Sequence, residues 1–193
     1  SCDGKTSIHV VMWRPDENEY DKPVAVLQIS HGMIEYIDRY DGFARFMADR
    51  GFVVVGNDHL GHGESVCSDD DLGFFKDEHP GEALAKDVHH LTVLTKKMYP
   101  GIPYYLLGHS MGSFVTRKYI CDYGYELDGV IIMGTGHQPT PMVLAGKALA
   151  DITRFIKGDR YRSRLISKIM FGAYNKRIKN CLLYTSPSPR DSP

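Results

Sequence analysis

The sequence predicts an α/β domain in which a mostly parallel sheet is flanked by helices. Short apolar strands alternate along the chain with segments whose apolar residues recur at helical spacing. Several strands are nearly continuous apolar runs, which is typical of strands that are covered on both faces. Strands and helices alternate in this way when a parallel sheet carries helices on its two sides.

The first half of the chain predicts three strands and one helix. Thr6–Trp13 has alternating apolar residues and reads as a strand, and Val24–Ser30 is an almost unbroken apolar run. Asp41–Arg50 carries apolar residues at helical spacing, and Gly51 follows as a C-terminal cap. Phe52–Val55 is a third, short and apolar strand.

The second half continues the alternation. The predicted elements are a helix over Gly81–Met98, a strand over Tyr104–Leu107, a helix over Met111–Tyr123 and a strand over Gly129–Met133. No convincing strand follows. Instead, the sequence predicts an amphipathic helix over Met142–Ile156, a basic helix from Ser163 to about Ile178, and a disordered Ser/Pro-rich tail over 181–193 that looks like a translated sequencing adapter.

Composition excludes several classes of protein. A length of 193 residues fits one compact domain, and a formal net charge of −1 removes the electrostatic case for a nucleic-acid partner. The longest apolar runs span four residues, whereas a transmembrane helix needs about 20. The four cysteines form no CxxC pair and no secretion signal opens the chain, so we expect a reduced, cytoplasmic protein.

One motif joins a predicted strand to a predicted helix. The segment Gly108-His109-Ser110-Met111-Gly112 has the G-x-S-x-G pattern of a nucleophile elbow. Such a tight turn strains the serine backbone and brings neighbouring chain close, so side chains must be absent at both glycines. The strain directs the Ser110 hydroxyl into the cleft above a helix N-terminus, which favours negative charge. The alternative is a glycine-rich turn whose serine only caps the helix.

A second motif, His31-Gly32-Met33, follows another buried strand. Acyl transfer needs two hydrogen-bond donors that face the developing oxyanion. In an elbow of this kind, one donor is the backbone N–H after the nucleophile, here Met111, and the other comes from the loop after an earlier strand, here Met33. The alternative is that His31-Gly32 forms a simple turn.

A third motif, Asn57–Ser65, contains an aspartate and two histidines in a glycine-rich loop. These side chains are too few, and lie in the wrong frame, for a catalytic zinc site, so we predict no metal and no cofactor. A hydrogen-bonded loop that packs beside the elbow is the favoured interpretation.

Together the three motifs, with Glu35 and Arg39-Tyr40, resemble the α/β-hydrolase family and its monoacylglycerol lipase and lysophospholipase-like branch, which is similar to serine aminopeptidase S33. The resemblance spans Ser7 to Lys179. It implies that Ser110 is the nucleophile and that Met33 and Met111 form the oxyanion hole.

The same resemblance implies a polar subsite and a cap. Glu35 and Arg39 match the family pattern H-G-x-x-E-x-x-x-R and are expected to contact a polar head group such as glycerol, or alternatively to form an ion pair that braces the loop. Residues 1–140 are expected to form the N-terminal part of a hydrolase core. Residues 141–180 are expected to form a partial helical cap, although ordinary core packing would also explain their apolar stripe.

The acid and base of a serine triad are not evident. In this fold they follow the serine on later strands, but His137 is the only downstream histidine, and Asp151 and Asp159 lie in the predicted cap. We assign His137 to the substrate pocket and expect the acid and base beyond this chain, so that the 193-residue fragment is nearly inactive. The whole protein is expected to cleave a small acyl ester through an acyl-serine. The alternatives are a thioesterase, an aminopeptidase or an inactive binding module, and the oligomeric state stays open.

Overall fold

The computed structural model describes residues 1, 4–74, 79–166 and 168–169. The chain divides into two compact units, Ser1–His137 and Gln138–Pro193. Among the described residues, no helix has the length and hydrophobicity that are needed to cross a membrane.

The first unit alternates strands with helices. Its elements are β1 (Val10–Trp13), β2 (Ala25–Ser30), α1 (Asp41–Ala48), β3 (Phe52–Asn57), α2 (Pro80–Met98), β4 (Tyr104–His109), α3 (Met111–Tyr123) and β5 (Gly129–Met133). The second unit contains α4 (Thr140–Lys157), which covers the predicted amphipathic helix.

The strands form one sheet in the order β1-β3-β2-β4-β5. Strand β1 is antiparallel to β3, and the remaining neighbours are parallel, as the alternation of strands and helices predicted. Strand β2 lies between β3 and β4, with Ser30 opposite Gly108. The loops that follow these three strands therefore meet at one edge of the sheet, which is where parallel α/β sheets place their ligands.

Helices cover both faces of the sheet. Alternate residues of a strand point to opposite faces, so Leu27 and Ile29 pack on the side of α1, whereas Val26 packs on the opposite side. Helices α2 and α3 contribute Val88 and Val115 to that second side. These apolar contacts on both faces explain why the strand sequences are almost continuously hydrophobic.

Strand β1 is shorter than predicted. Only Val10–Trp13 pairs with β3. The preceding residue, His9, bonds to the loop after β3 instead: its carbonyl accepts the Asp58 amide at 3.0 Å, and its amide donates to Ser65 Oγ at 2.9 Å. The predicted basic helix lies outside the described residues from position 170 onward, as does the whole 181–193 tail.

A buried carboxylate holds the loop that follows β3. Asp58 Oδ1 accepts the Ile37 amide at 2.7 Å, and Oδ2 accepts the Glu64 amide at 2.9 Å. The Ser65 hydroxyl donates to the Asp58 carbonyl at 2.8 Å. Asp58 thus ties this loop to the segment that precedes α1, which supports the interpretation of the motif as a hydrogen-bonded loop.

Two buried histidines connect the loops after β2 and β3. His31 Nε2 accepts the His59 amide at 2.9 Å, so the ring proton lies on Nδ1 and is donated to the Gly32 carbonyl at 2.7 Å. The ring centroids of His31 and His59 are 4.4 Å apart. Burial lowers the pKa of His31 to about 4 and lowers the pKa of His59 well below its usual value, so both rings are neutral near pH 7.

We expect acid to destabilise the fold through His31. The unfolded chain binds a proton on this ring near pH 6.5, whereas the folded chain does so only near pH 4, so the free energy of unfolding falls as the pH drops through this window. The full effect is about 3 kcal/mol. Urea denaturation at pH 7.5 and pH 4.5 measures it, with His31→Gln as the comparison, because glutamine can donate and accept but does not titrate. An equal pH dependence in both proteins would contradict the prediction.

Candidate active site

The turn between β4 and α3 has a strained backbone at Ser110. Its φ of 51° and ψ of −115° are unusual for a residue with a side chain. A side chain at Gly112 would overlap with the carbonyl oxygens of Ser30 and His31, so the first turn of α3 lies directly against the end of β2. The local sequence therefore folds into the elbow that its two glycines predicted.

Hydrogen bonds fix the Ser110 backbone and leave its hydroxyl free. The Ser110 amide donates to the Met133 carbonyl at 2.9 Å. The Ser110 carbonyl accepts the amide of Ser113 at 3.0 Å and its hydroxyl at 2.6 Å. Ser110 is half-buried, and its hydroxyl has no hydrogen-bond partner in the described part of the chain. Such a hydroxyl can reach a substrate without first breaking a structural bond.

The loop after β2 lies against Ser110. A Cβ atom placed on Gly32 would be 3.1 Å from Ser110 Cβ. Ile34, two residues later, has a φ of 61°, which is strongly disfavoured for a β-branched side chain. The amides of Met33 and Met111 donate no hydrogen bond to another described residue, and each is adjacent to one of the two strained positions. Each predicted oxyanion residue is thus the sequence neighbour of a non-glycine residue with positive φ.

A carboxylate lies behind this loop. Glu35 Oε1 accepts the Gly32 amide, the Tyr40 hydroxyl at 3.0 Å and His109 Nδ1 at 3.0 Å. Burial raises the pKa of Glu35, but the hydrogen bonds from His109, Gly32 and Tyr40 outweigh it and hold the pKa below its usual value. Glu35 is therefore ionised near pH 7. Because an ionised carboxylate can only accept, Nδ1 of His109 carries the proton.

The two residues of the predicted polar subsite differ in their exposure and in their partners. The Glu35 side chain is 12% exposed and bonds to His109, whereas Arg39 is exposed and forms no ion pair with any described residue. The alternative of a Glu35–Arg39 ion pair that braces the loop is thus not what the structure shows. The sequence pattern did not indicate the partners of Glu35: His109 occupies a variable position of the elbow motif, and no pattern gave Tyr40 a role of its own.

No imidazole bonds to the Ser110 hydroxyl among the residues that the structure describes. His137 is exposed in the segment after β5 and makes no hydrogen bond there. The two aspartates of the predicted cap belong to the second unit and pair with its basic residues: Asp151 with Lys147 at 2.9 Å, and Asp159 with Arg154 at 2.7 Å. The described residues thus contain the predicted nucleophile and its surroundings without an assembled base.

Comparison with known families matches residues 21–184 to "Serine aminopeptidase, S33". The chain is 33% identical over 153 residues to the monoglyceride lipase homolog of Monkeypox virus, with 76% of the chain and 51% of that protein covered. It is 27% identical over 144 residues to the monoglyceride lipase of Mus musculus, with 75% of the chain and 42% of that protein covered. The chain spans about half the length of the relatives it matches.

Solved structures give the same grouping. A thermostable carboxyl esterase from Bacillus coagulans, crystallised in complex with glycerol, superposes with a TM-score of 0.79 at 28% identity, over 94% of this chain and 57% of that one. A lipase in an open form gives 0.70 at 27% identity, over 97% and 58% of the two chains. The family match covers far more than half of the sequence. The chain therefore belongs to the serine aminopeptidase S33 family of α/β-hydrolases, with monoacylglycerol lipase-like proteins among its relatives.

Proposed function

We propose that the protein to which this chain belongs is a serine hydrolase that cleaves carboxylic esters of the monoacylglycerol type. The observation that carries the proposal is the strained Ser110, whose unbonded hydroxyl lies beside the Gly32 loop. A turn that only capped a helix would not need this strain, and the Ser110 side chain makes no capping hydrogen bond to α3.

Ester cleavage at this site begins with attack of Ser110 Oγ on the ester carbonyl. The carbonyl oxygen becomes an oxyanion, and the amides of Met33 and Met111 donate to it. The intermediate collapses, the C–O bond to the alcohol breaks, and the alcohol leaves with a proton while the acyl group stays on Ser110. Water then attacks the acyl-serine and releases the fatty acid. The N-terminus of α3, 13 residues long, adds a favourable dipole at the site of negative charge.

The proton from Ser110 needs an acceptor, and we propose that a histidine beyond this chain takes it, oriented by an acidic residue. The free Ser110 hydroxyl and the ion pairs of Asp151 and Asp159 support this assignment. A chain limited to these 193 residues would bind substrate through the elbow and its loops but would turn it over slowly. A cytoplasmic location stays a prediction.

The head group is assigned from the names of the relatives and from one exposed cation. Several relatives are monoglyceride lipases, and the Bacillus coagulans esterase was crystallised with glycerol. Arg39 presents five N–H donors that no described residue uses, which suits the hydroxyls of a glycerol ester or the phosphate of a lysophospholipid. His137 is assigned to the same substrate-binding site.

Changing the nucleophile tests the proposed function. We expect the longest natural polypeptide that carries this chain to react with a fluorophosphonate probe at Ser110, and Ser110→Ala to abolish both labelling and ester hydrolysis. Ser68→Ala is the matched control, because Ser68 is exposed and bonds only within its own surface turn. In-gel fluorescence measures the labelling. Absence of labelling in the natural polypeptide would favour an inactive binding module, and loss of labelling on changing His137 would show that His137 is the base.

Changing Arg39 tests the head-group assignment. We expect Arg39→Gln to lower kcat/KM for a monoacylglycerol about 5- to 10-fold, which is the loss of one or two hydrogen bonds, and to leave a p-nitrophenyl ester of the same fatty acid unaffected. Arg50→Gln serves as the control, because Arg50 is also exposed but packs on Phe46 at the far end of α1. Equal losses on the two esters would contradict the assignment.

A further inference from the structure

We propose that Glu35 is a positioning residue: it holds the backbone of Gly32 and Met33 in place beside Ser110 and does not bind the head group. The inference rests on the proposed function, because it concerns how the oxyanion donors of that reaction are oriented. The family pattern implied that Glu35 contacts the head group, whereas the hydrogen bonds of its carboxylate favour a positioning role.

Glu35 joins three separate segments of the chain at one oxygen atom. The Gly32 amide belongs to the loop after β2, the Tyr40 hydroxyl to the short 3₁₀ turn before α1, and His109 Nδ1 to the end of β4, directly before the nucleophile. The carboxylate therefore links the loop that carries Met33 to the end of β4, directly before Ser110. A change in this link alters the distance between the two proposed oxyanion donors.

The Glu35 carboxylate is poorly accessible to a substrate head group. Glu35 is 12% exposed and its Oε1 already accepts three donors, so a head group would have to displace a protein donor to reach that oxygen. Arg39, in contrast, is exposed and has no ion pair within the described residues. The two residues of the predicted subsite thus have different surroundings: protein donors already bond to Glu35, whereas no described residue uses the donors of Arg39.

The backbone between Gly32 and Glu35 is strained at Ile34. Ile34 lies between the two ends of the Glu35–Gly32 bond and has a φ of 61°. This conformation is strongly disfavoured for a β-branched residue and persists only where its surroundings impose it. The bond from the Gly32 amide to the Glu35 carboxylate closes the turn around Ile34. Without this bond, the turn can relax towards an ordinary negative φ, and the Met33 amide turns with it.

The experiment compares two esters of one fatty acid, a monoacylglycerol and a p-nitrophenyl ester, in the longest natural polypeptide that carries this chain. A misplaced oxyanion donor affects both substrates, because both pass through the same oxyanion. A lost head-group contact affects only the glycerol ester. For Glu35→Ala we expect kcat to fall about 30- to 100-fold on both esters with little change in KM, as for a displaced donor.

Glu35→Gln is the conservative variant. Its amide oxygen still accepts from Gly32 but carries no charge, so the bond weakens without disappearing. We expect kcat to fall by no more than about 10-fold, again by the same factor on both esters. Asp38→Ala is the matched control, since Asp38 is an exposed carboxylate in the same segment and should keep the wild-type kcat on both.

The outcomes separate the two hypotheses. Equal losses on both esters support positioning. A loss confined to the glycerol ester, in either Glu35 variant, overturns it and assigns Glu35 to the head group. Glu35→Ala with wild-type kcat on both esters also overturns it. If Glu35→Ala does not fold, the same criterion of equal factors applies to Glu35→Gln. A wild-type protein that cleaves neither ester overturns the proposed function, and the inference falls with it.

Discussion

The close packing of the first turn of α3 on the end of β2 is the constraint on which the site depends. Gly112 lies so near the carbonyl oxygens of Ser30 and His31 that no side chain fits between them. This contact fixes the turn at Ser110, since α3 must begin at once after β4 ends. It also fixes the neighbour of Ser110, because the chain that leaves Ser30 continues through Gly32. The absence of a side chain at Gly112 thus influences both the direction of Ser110 and its distance from the Gly32 loop.

Two carboxylates hold the backbone of the loops around this site. Asp58 accepts two backbone amides and Glu35 accepts one, together with two side-chain donors. A hydrogen bond to a charged acceptor contributes about 1.5 to 3 kcal/mol, and a residue with strained backbone costs about 1 to 3 kcal/mol. The two magnitudes are similar, so a single carboxylate is enough to hold Ile34 in its strained conformation. The apolar core of the sheet does not have to supply that energy.

Local patterns in the sequence were sufficient to predict the strands, the helices and the elbow, because each depends on residues a few positions apart. The buried runs of β2 and β3 and the glycines around Ser110 are of this kind. The pairing of Glu35 with His109 is not: 74 positions separate them. They meet only because β2 and β4 are adjacent in the sheet, and adjacency follows from the crossover connections rather than from either strand. The N-terminal boundary of β1 was mispredicted for the same reason, since the hydrogen bonds that replace strand pairing at His9 come from a distant loop.

The proposed oxyanion donors are backbone groups, and this determines where side-chain chemistry can enter the site. A backbone amide has the same hydrogen-bonding strength whichever residue carries it, so Met33 and Met111 contribute through their position and not through their thioethers. Position is set by whatever holds the two loops. For Met111 that is the helix that begins there, which leaves little freedom. For Met33 it is a loop with a strained residue on one side and a carboxylate-bound glycine on the other. Side chains that bond to the backbone of that loop are therefore the means by which the sequence can adjust the proposed oxyanion hole.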